Sequence, residues 1–167
     1  MSKLRFTHVE TPLGLIELRA TTRGLSGVYF EGHKPAPVPR ILHAACRDDG
    51  HFRPVVEQLR AYLAGEIERF QLPLDPAGTP FQRQVWQRLA TIPYGDTLSY
   101  GALAASLDMP AAARAVAGAN ARNPLSIIVP CHRVVARDGR LSGYAGGVER
   151  KQWLLDLERR ARMRHAA

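Results

Sequence analysis

Cysteine is scarce in this chain: only Cys46 and Cys131 occur in 167 residues, far apart and in unlike surroundings. Two such cysteines do not make the disulfide framework of a small secreted domain, and a reduced, cytoplasmic setting fits. Long apolar runs are missing too; none approaches membrane-spanning length, which excludes a membrane partner. The opening Met1-Ser2-Lys3-Leu4-Arg5 lacks the apolar segment of a signal peptide and runs straight into strand-like sequence. Acidic residues are in deficit, 15 against 23 Lys and Arg, for a formal net charge of +8.

That deficit is local. Residues 1–75 carry ten basic against nine acidic side chains, and residues 76–110 carry two of each. Residues 111–167 carry eleven against four, so the excess lies in the third that contains Cys131. A concentrated basic region is the footprint of a nucleic-acid-binding face, with a solubilising basic tail around Arg159–Arg164 as the alternative.

Alternation and turn residues over the first thirty positions predict a three-stranded antiparallel meander, with turns at Thr11–Gly14 and Arg23-Gly24. The proline-rich Glu31–Pro39 reads as a loop. Cys46, near His43 and His51, matches no established ligand spacing and is expected to be a partly buried bystander; no metal or cofactor is expected. Pro54–Leu63 shows a helical apolar stripe ending near Gly65, and the proline-punctuated Gln71–Gly78 marks a boundary between domains 1–75 and 76–167. Thr79-Pro80 starts a helix carrying Val85, Trp86 and Leu89, and Ser99 caps a short helix over Tyr100–Leu107. Pro110 opens another helix to about Ala121, which completes a helix-turn-helix pattern. A hairpin loop or wing is expected at Arg137–Arg140, and a final helix over Val148–Arg160 with a frayed tail. The fold class is therefore α+β: a small antiparallel sheet plus helix, then a mainly helical domain with a winged-helix-like helix-turn-helix.

The helix after Pro110 lacks long polar side chains. Ala113, Ala115 and Gly118 leave it smooth, with Arg114 protruding. Readers of a major-groove code carry several long polar residues there, so this surface fits shape, backbone or minor-groove contact, with Arg114 able to enter a base stack. A closely packed interior helix is the alternative.

The chain is organised around Ser126–Val135. An apolar β-branched run reads as a strand that Pro130 interrupts just before Cys131-His132-Arg133. The thiolate is the nucleophilic form of cysteine and nearby His or Arg favours it, so Cys131 is a candidate nucleophile; a buried structural cysteine is the other reading. The small residues around Tyr144, Ala145 and Gly146 suit a loop whose backbone approaches a ligand.

Pro130-Cys131-His132-Arg133-Val134 after Asn123-Pro124 resembles the active-site signature of the O6-alkylguanine-DNA alkyltransferases. Ile92-Pro93-Tyr94-Gly95, Ser99-Tyr100-Gly101, Ala113-Arg114-Ala115-Val116 and the Tyr144–Gly147 loop extend the resemblance over about residues 72–158, in consistent order and spacing. The N-terminal part resembles the family loosely, as a ribonuclease-H-like sheet plus helix. The resemblance implies irreversible, single-turnover transfer of an alkyl group from guanine O6 in duplex DNA to Cys131, by a monomer, with O4-alkylthymine as a second lesion. It implies His132 as the base acting through water, Glu158 orienting His132, Tyr100 donating to the leaving base, and Asn123 holding the turn before the active-site segment. Arg114 would fill the gap left by the flipped base, with Ala113, Ala115, Gly118 and Arg133 at the DNA surface. Val134, Tyr144, Ala145 and Gly146 would line the base pocket. Ala145 departs from the hydroxyl residue common in the family at this position. For Lys151 and Arg133, phosphate contact, internal salt bridge and surface charge are all open.

Two other function classes compete. A non-catalytic DNA-binding damage sensor shares the charge distribution but leaves Cys131-His132 and Glu158 unexplained. A Cys-His hydrolase would have an unusual adjacent dyad and no use for the basic third.

Overall fold

The alternating N-terminal segments form the expected meander: β1 (Arg5–Thr11), β2 (Gly14–Ala20) and β3 (Leu25–Phe30) pair antiparallel. The structure is a computed structural model and describes residues 3–34 and 45–166. A short β4 (Cys46–Arg47) adds in parallel to β1, for a sheet order of β3-β2-β1-β4. Val9, Ile16, Leu18, Val28 and Phe30 point to the buried face, which packs with α1 (Arg53–Leu63) through Val55, Leu59 and Tyr62. Each fully buried aliphatic side chain contributes about 1.5–3 kcal/mol, so this sheet and helix share a real core. Cys46 is exposed, not partly buried, because β4 has only two residues at the sheet edge. His43 and residues 35–39 of the expected loop lie outside the described residues.

The far edge of the sheet joins the two halves of the chain. On β3, the Leu25 amide donates to the Pro73 carbonyl (2.8 Å) and the Asp75 amide donates back to Leu25 (2.7 Å). Further along, the Val28 amide donates to the Pro124 carbonyl (2.8 Å), beside a bridge between Val28 and Leu125. An open strand edge is a template for pairing, and here two other segments of the same chain occupy it. Gly24 is required at the crossing: a Cβ there would lie 2.5 Å from the Pro73 carbonyl oxygen.

α2 (Pro80–Leu89) begins in a complete capping box, with the Gln82 amide donating to the Thr79 hydroxyl and the Gln82 side chain accepting from the Thr79 amide. Its Trp86 indole donates to the Ala119 carbonyl of α4 (Ala113–Ala121) at 2.9 Å. α3 (Tyr100–Ser106) is capped by Ser99 as expected, and a one-turn 3-10 segment, Pro110–Ala112, leads into α4.

Three expectations are corrected. Ser126–Val129 is no strand but a tight coil: Val129 donates to the Leu125 carbonyl, Ile128 to that of Ser126, and Ile127 sits at φ 71°. Ile127 and Val129 are buried all the same and Ile128 is half-buried, so the pattern reported burial largely correctly and backbone shape wrongly. Second, β6 (Val134–Val135) pairs in parallel with β5 (Leu98–Ser99), and Ala136–Arg140 closes a turn instead of a hairpin with a return strand. Third, α5 (Val148–Ala166) does not fray after Ala161, which is fully buried; Arg162 pairs with Asp96 and His165 with Glu68, and these contacts tie down the last turns.

Replacing the capping hydroxyl, Thr79→Ala, should destabilise the protein by about 1 kcal/mol, read as a lower urea midpoint at unchanged slope.

Candidate active site

Glu158 lies on the inward stripe of α5 with Lys151, Leu154, Leu155 and Ala161, a spacing that places all of them on one buried face. Its carboxylate is inaccessible to solvent and is satisfied from three other segments. Tyr62 of α1 donates its hydroxyl to Oε1 (2.5 Å), and His132 Nε2 lies 2.8 Å from the same oxygen. Arg133 forks onto both oxygens, Nη2 to Oε1 at 2.7 Å and Nε to Oε2 at 2.9 Å, and the Gly95 amide donates to Oε2 at 3.1 Å. Burying a carboxylate without such donors would cost several kcal/mol. Burial pushes the Glu158 carboxyl up, yet the hydrogen bond from His132 and the hydrogen bonds and charge of Arg133 hold it well below the usual carboxylate range.

An ionised Glu158 fixes the His132 tautomer, with Nε2–H donating and Nδ1 left as an acceptor. That Nδ1 is buried and has no partner in the protein. Burial lowers His132 below its ordinary value, against the opposing pull of Glu158, so the resting imidazole is neutral. Cys131 and His132 share one turn of 3-10 helix over Cys131–Arg133, the backbone turn that adjacent nucleophile and base require.

Cys131 is 3 % exposed. Burial raises its thiol above the ordinary value, opposed by the Asn123 side chain and the charge of Lys151. Arg133 is turned to Glu158 and His132 is neutral, so the cationic pull toward the thiolate comes from Lys151 and is outweighed at rest by burial. Asn123 occupies its expected place, with Nδ2 donating to the Val129 carbonyl (2.8 Å) and Oδ1 accepting from the Leu125 amide (3.0 Å). It ties the end of α4 to the coil before Cys131.

Arg133 is corrected from DNA surface to interior: besides Glu158, its Nη1 donates to the Ile92 carbonyl at 2.7 Å, and the residue is buried. Lys151 is also internal, with Nζ donating to the Ser142 carbonyl (3.1 Å) and lying 5.9 Å from the centroid of the Tyr100 ring; burial lowers it to about 8. Tyr100 is half-buried at the start of α3 with its hydroxyl 3.5 Å from Ser142 Oγ. The Tyr144 hydroxyl comes close to the Cys131 thiol and Ser126 without a well-formed hydrogen bond. Val134 and Gly146 are buried and Ala145 is half-buried. On α4, Val116, Ala119 and Asn120 face inward; Arg114 and Ala115 are exposed, with Ala113 and Gly118 half-buried beside them. Among the described residues, the Arg114 side chain has no hydrogen-bonding or ionic partner, and no group of three or more His, Cys, Asp or Glu side chains comes together to hold a metal.

Sequence reasoning missed Tyr62 and Gly95. Tyr62 counted only as part of an apolar stripe, although a fully buried tyrosine hydroxyl needs a partner, which was the available signal.

Two family models match the chain: the ribonuclease-like domain of 6-O-methylguanine DNA methyltransferase over residues 4–76, and its DNA-binding domain over residues 80–160. A methylated-DNA–protein-cysteine methyltransferase of Shigella flexneri is 56% identical, covering 95% of this chain and 97% of that protein. One from Mycolicibacterium paratuberculosis is 44% identical, covering 94% and 93%. The crystal structure of Mycobacterium tuberculosis OGT in complex with DNA superposes with a TM-score of 0.86 at 42% identity, covering 95% of this chain and 94% of that one.

Glu158→Gln should leave Arg133 buried without its counter-charge and destabilise the protein by about 3–5 kcal/mol. The wild type has an acid limb of defined sign. The folded-state values of Glu158 and His132 are both lowered, so the unfolded chain takes up their protons first. Their contributions are lost as pH falls, from about 6.5 for His132 and from about 4.3 for Glu158. Urea titrations between pH 7 and 4 should show this loss in the wild type and a shallower limb in Glu158→Gln.

Proposed function

The chain belongs to the methylated-DNA–protein-cysteine methyltransferase (O6-alkylguanine-DNA alkyltransferase) family of DNA-repair proteins, and we propose that Cys131 is its alkyl acceptor, activated through His132 and Glu158. The observation that carries this reading is the buried His132: clamped at Nε2 by Glu158, it keeps an unpaired Nδ1 on the residue next to the only buried cysteine among the described residues.

The chemistry follows from these positions. The α3–α4 face takes duplex DNA at the minor groove, where the small residues Ala113, Ala115 and Gly118 permit close approach. Arg114 enters the stack in place of the damaged nucleotide. The extruded base lies against Val134 and the Tyr144–Gly146 loop, with its alkyl carbon at Cys131 Sγ. A water relays the thiol proton to His132 Nδ1, and the imidazolium is stabilised by Glu158 at 2.8 Å. The thiolate attacks the alkyl carbon, the carbon–O6 bond breaks, and the electron pair stays on the base. Tyr100 donates a proton toward that base as charge develops. The product is a thioether that water does not cleave, so each molecule acts once.

The proposed partner is duplex DNA carrying O6-alkylguanine, or O4-alkylthymine, bound by a monomer in the cytoplasm. The division of labour falls at residues 75 and 76, with chemistry and DNA contact both in residues 76–167. Binding of DNA is supported by the Mycobacterium tuberculosis complex.

Mixing the protein with duplex containing O6-methylguanine should add one methyl group to the Cys131 peptide by mass spectrometry, and none in Cys131→Ser, which should still bind the duplex. Bound DNA with unmodified Cys131 would overturn the reading in favour of a damage sensor. Arg114→Ala should weaken duplex binding by about 1–3 kcal/mol in a fluorescence titration while the free thiol count is unchanged.

A further inference from the structure

Arg150 sits in the first turn of α5, where the helix dipole disfavours a cation. No carboxylate pairs with it among the described residues. Its guanidinium instead donates to three main-chain carbonyls: Nε to Leu13 (2.9 Å), and Nη1 to Glu31 (2.8 Å) and to Gly146 (3.0 Å). The same group lies 5.0 Å from the centroid of the Phe30 ring. Leu13 and Glu31 belong to the N-terminal sheet, in the β1–β2 turn and just past β3, whereas Gly146 belongs to the loop assigned to the flipped base. A rigid fork of five N–H donors reaches all three; a lysine ammonium is a point charge and does not reproduce that fork.

Two neighbouring contacts reinforce this join. The Lys34 amide donates to the Ala145 carbonyl at 2.9 Å. Phe30 packs so closely on the loop that a Cβ on Gly146 would lie 2.4 Å from its ring, and it meets Tyr144 edge-on at 6.1 Å. With the Gly147 amide donating to the Tyr144 carbonyl (2.8 Å), three consecutive loop carbonyls, at 144, 145 and 146, are all occupied. The amides of Ala145 and Gly146 donate to nothing among the described residues. Fixing the carbonyls sets the peptide planes, and therefore where those two free donors point.

We propose that Arg150 is a positioning residue for alkyl transfer, which locks the Tyr144–Gly147 turn to the N-terminal sheet so that the Ala145 and Gly146 amides stand ready for the extruded base. The N-terminal sheet is then one wall of the lesion site. This rests on the alkyl-transfer reading above.

The test separates rate from affinity. Single-turnover transfer from O6-methylguanine duplex at saturating protein should slow at least about tenfold in Arg150→Ala, since small misplacements of a reacting pair cost up to about a hundredfold. Affinity for the same duplex, measured with Cys131→Ser also present, should change less than about threefold, because Arg150 makes no proposed DNA contact. Arg150→Lys should recover part of the rate, one carbonyl contact in place of three. A wild-type rate in Arg150→Ala overturns the inference and leaves alkyl transfer standing. So does a rate loss matched by an equal affinity loss, which would make Arg150 a DNA-binding residue. Should Arg150→Ala not fold, Arg150→Lys decides: slower transfer at unchanged affinity supports the role, and the wild-type rate overturns it. If the wild type itself transfers no methyl group, the alkyl-transfer reading fails and this one with it.

Discussion

The carboxylate of Glu158 is the constraint on which the site depends. It draws α1, the Gly95 turn and the Cys131–Arg133 turn to one buried point on α5, and each of the three brings a donor that would otherwise be unsatisfied. A buried charge tolerates little drift in its partners, so the same bonds that stabilise it orient the His132 ring. Arg133 balances Glu158 while His132 stays neutral. The pair therefore holds one net charge each way at rest, and His132 can gain a proton without Glu158 ever losing its counter-ion.

Around that point the chain accepts local strain. Ile127 is a β-branched residue in left-handed backbone, a conformation that costs on the order of 1–3 kcal/mol and persists only where the surroundings enforce it. Here the enforcement is visible from both ends. The β3 edge pins Pro124 and Leu125, and Asn123 pins Val129, so the three residues between must coil. The coil, not a strand, delivers Cys131 into the interior. The N-terminal sheet thereby acts on the reactive segment twice, once through the β3 edge and once through the Arg150 contacts with the Gly146 loop.

Much of this was legible in the sequence where the causes are local. Thr79 with Gln82, Ser99 before Tyr100 and the alternation of β1–β3 each carry their own structural instruction within a few residues. The Cys131-His132 pair was readable for the same reason, whereas the role of Asn123 came from the family resemblance. What failed was non-local. Apolar β-branched residues at 127–129 report burial in a coil as readily as in a strand, since hydrophobicity carries no record of φ. Arg133 looks like a surface cation until a carboxylate 25 positions later is placed against it, and Tyr62 looks apolar until its hydroxyl meets a residue 96 positions away. Cys46 stands exposed because its strand is two residues long at a sheet edge, a length set by pairing with β1 and not by its own composition.

The burial of Cys131 has a consequence for survival as a reagent. A cysteine that reacts once, as proposed for Cys131, must not be spent by other reactions, and peroxides or small soluble electrophiles attack the exposed thiolate form of cysteine. A sulfur that is 3 % exposed, with its thiol raised by burial, offers them almost none of that form. For the alkyl acceptor proposed above, burial is therefore selective storage: an electrophile delivered into the pocket meets the sulfur beside the groups that take its proton, and one in bulk solvent meets neither.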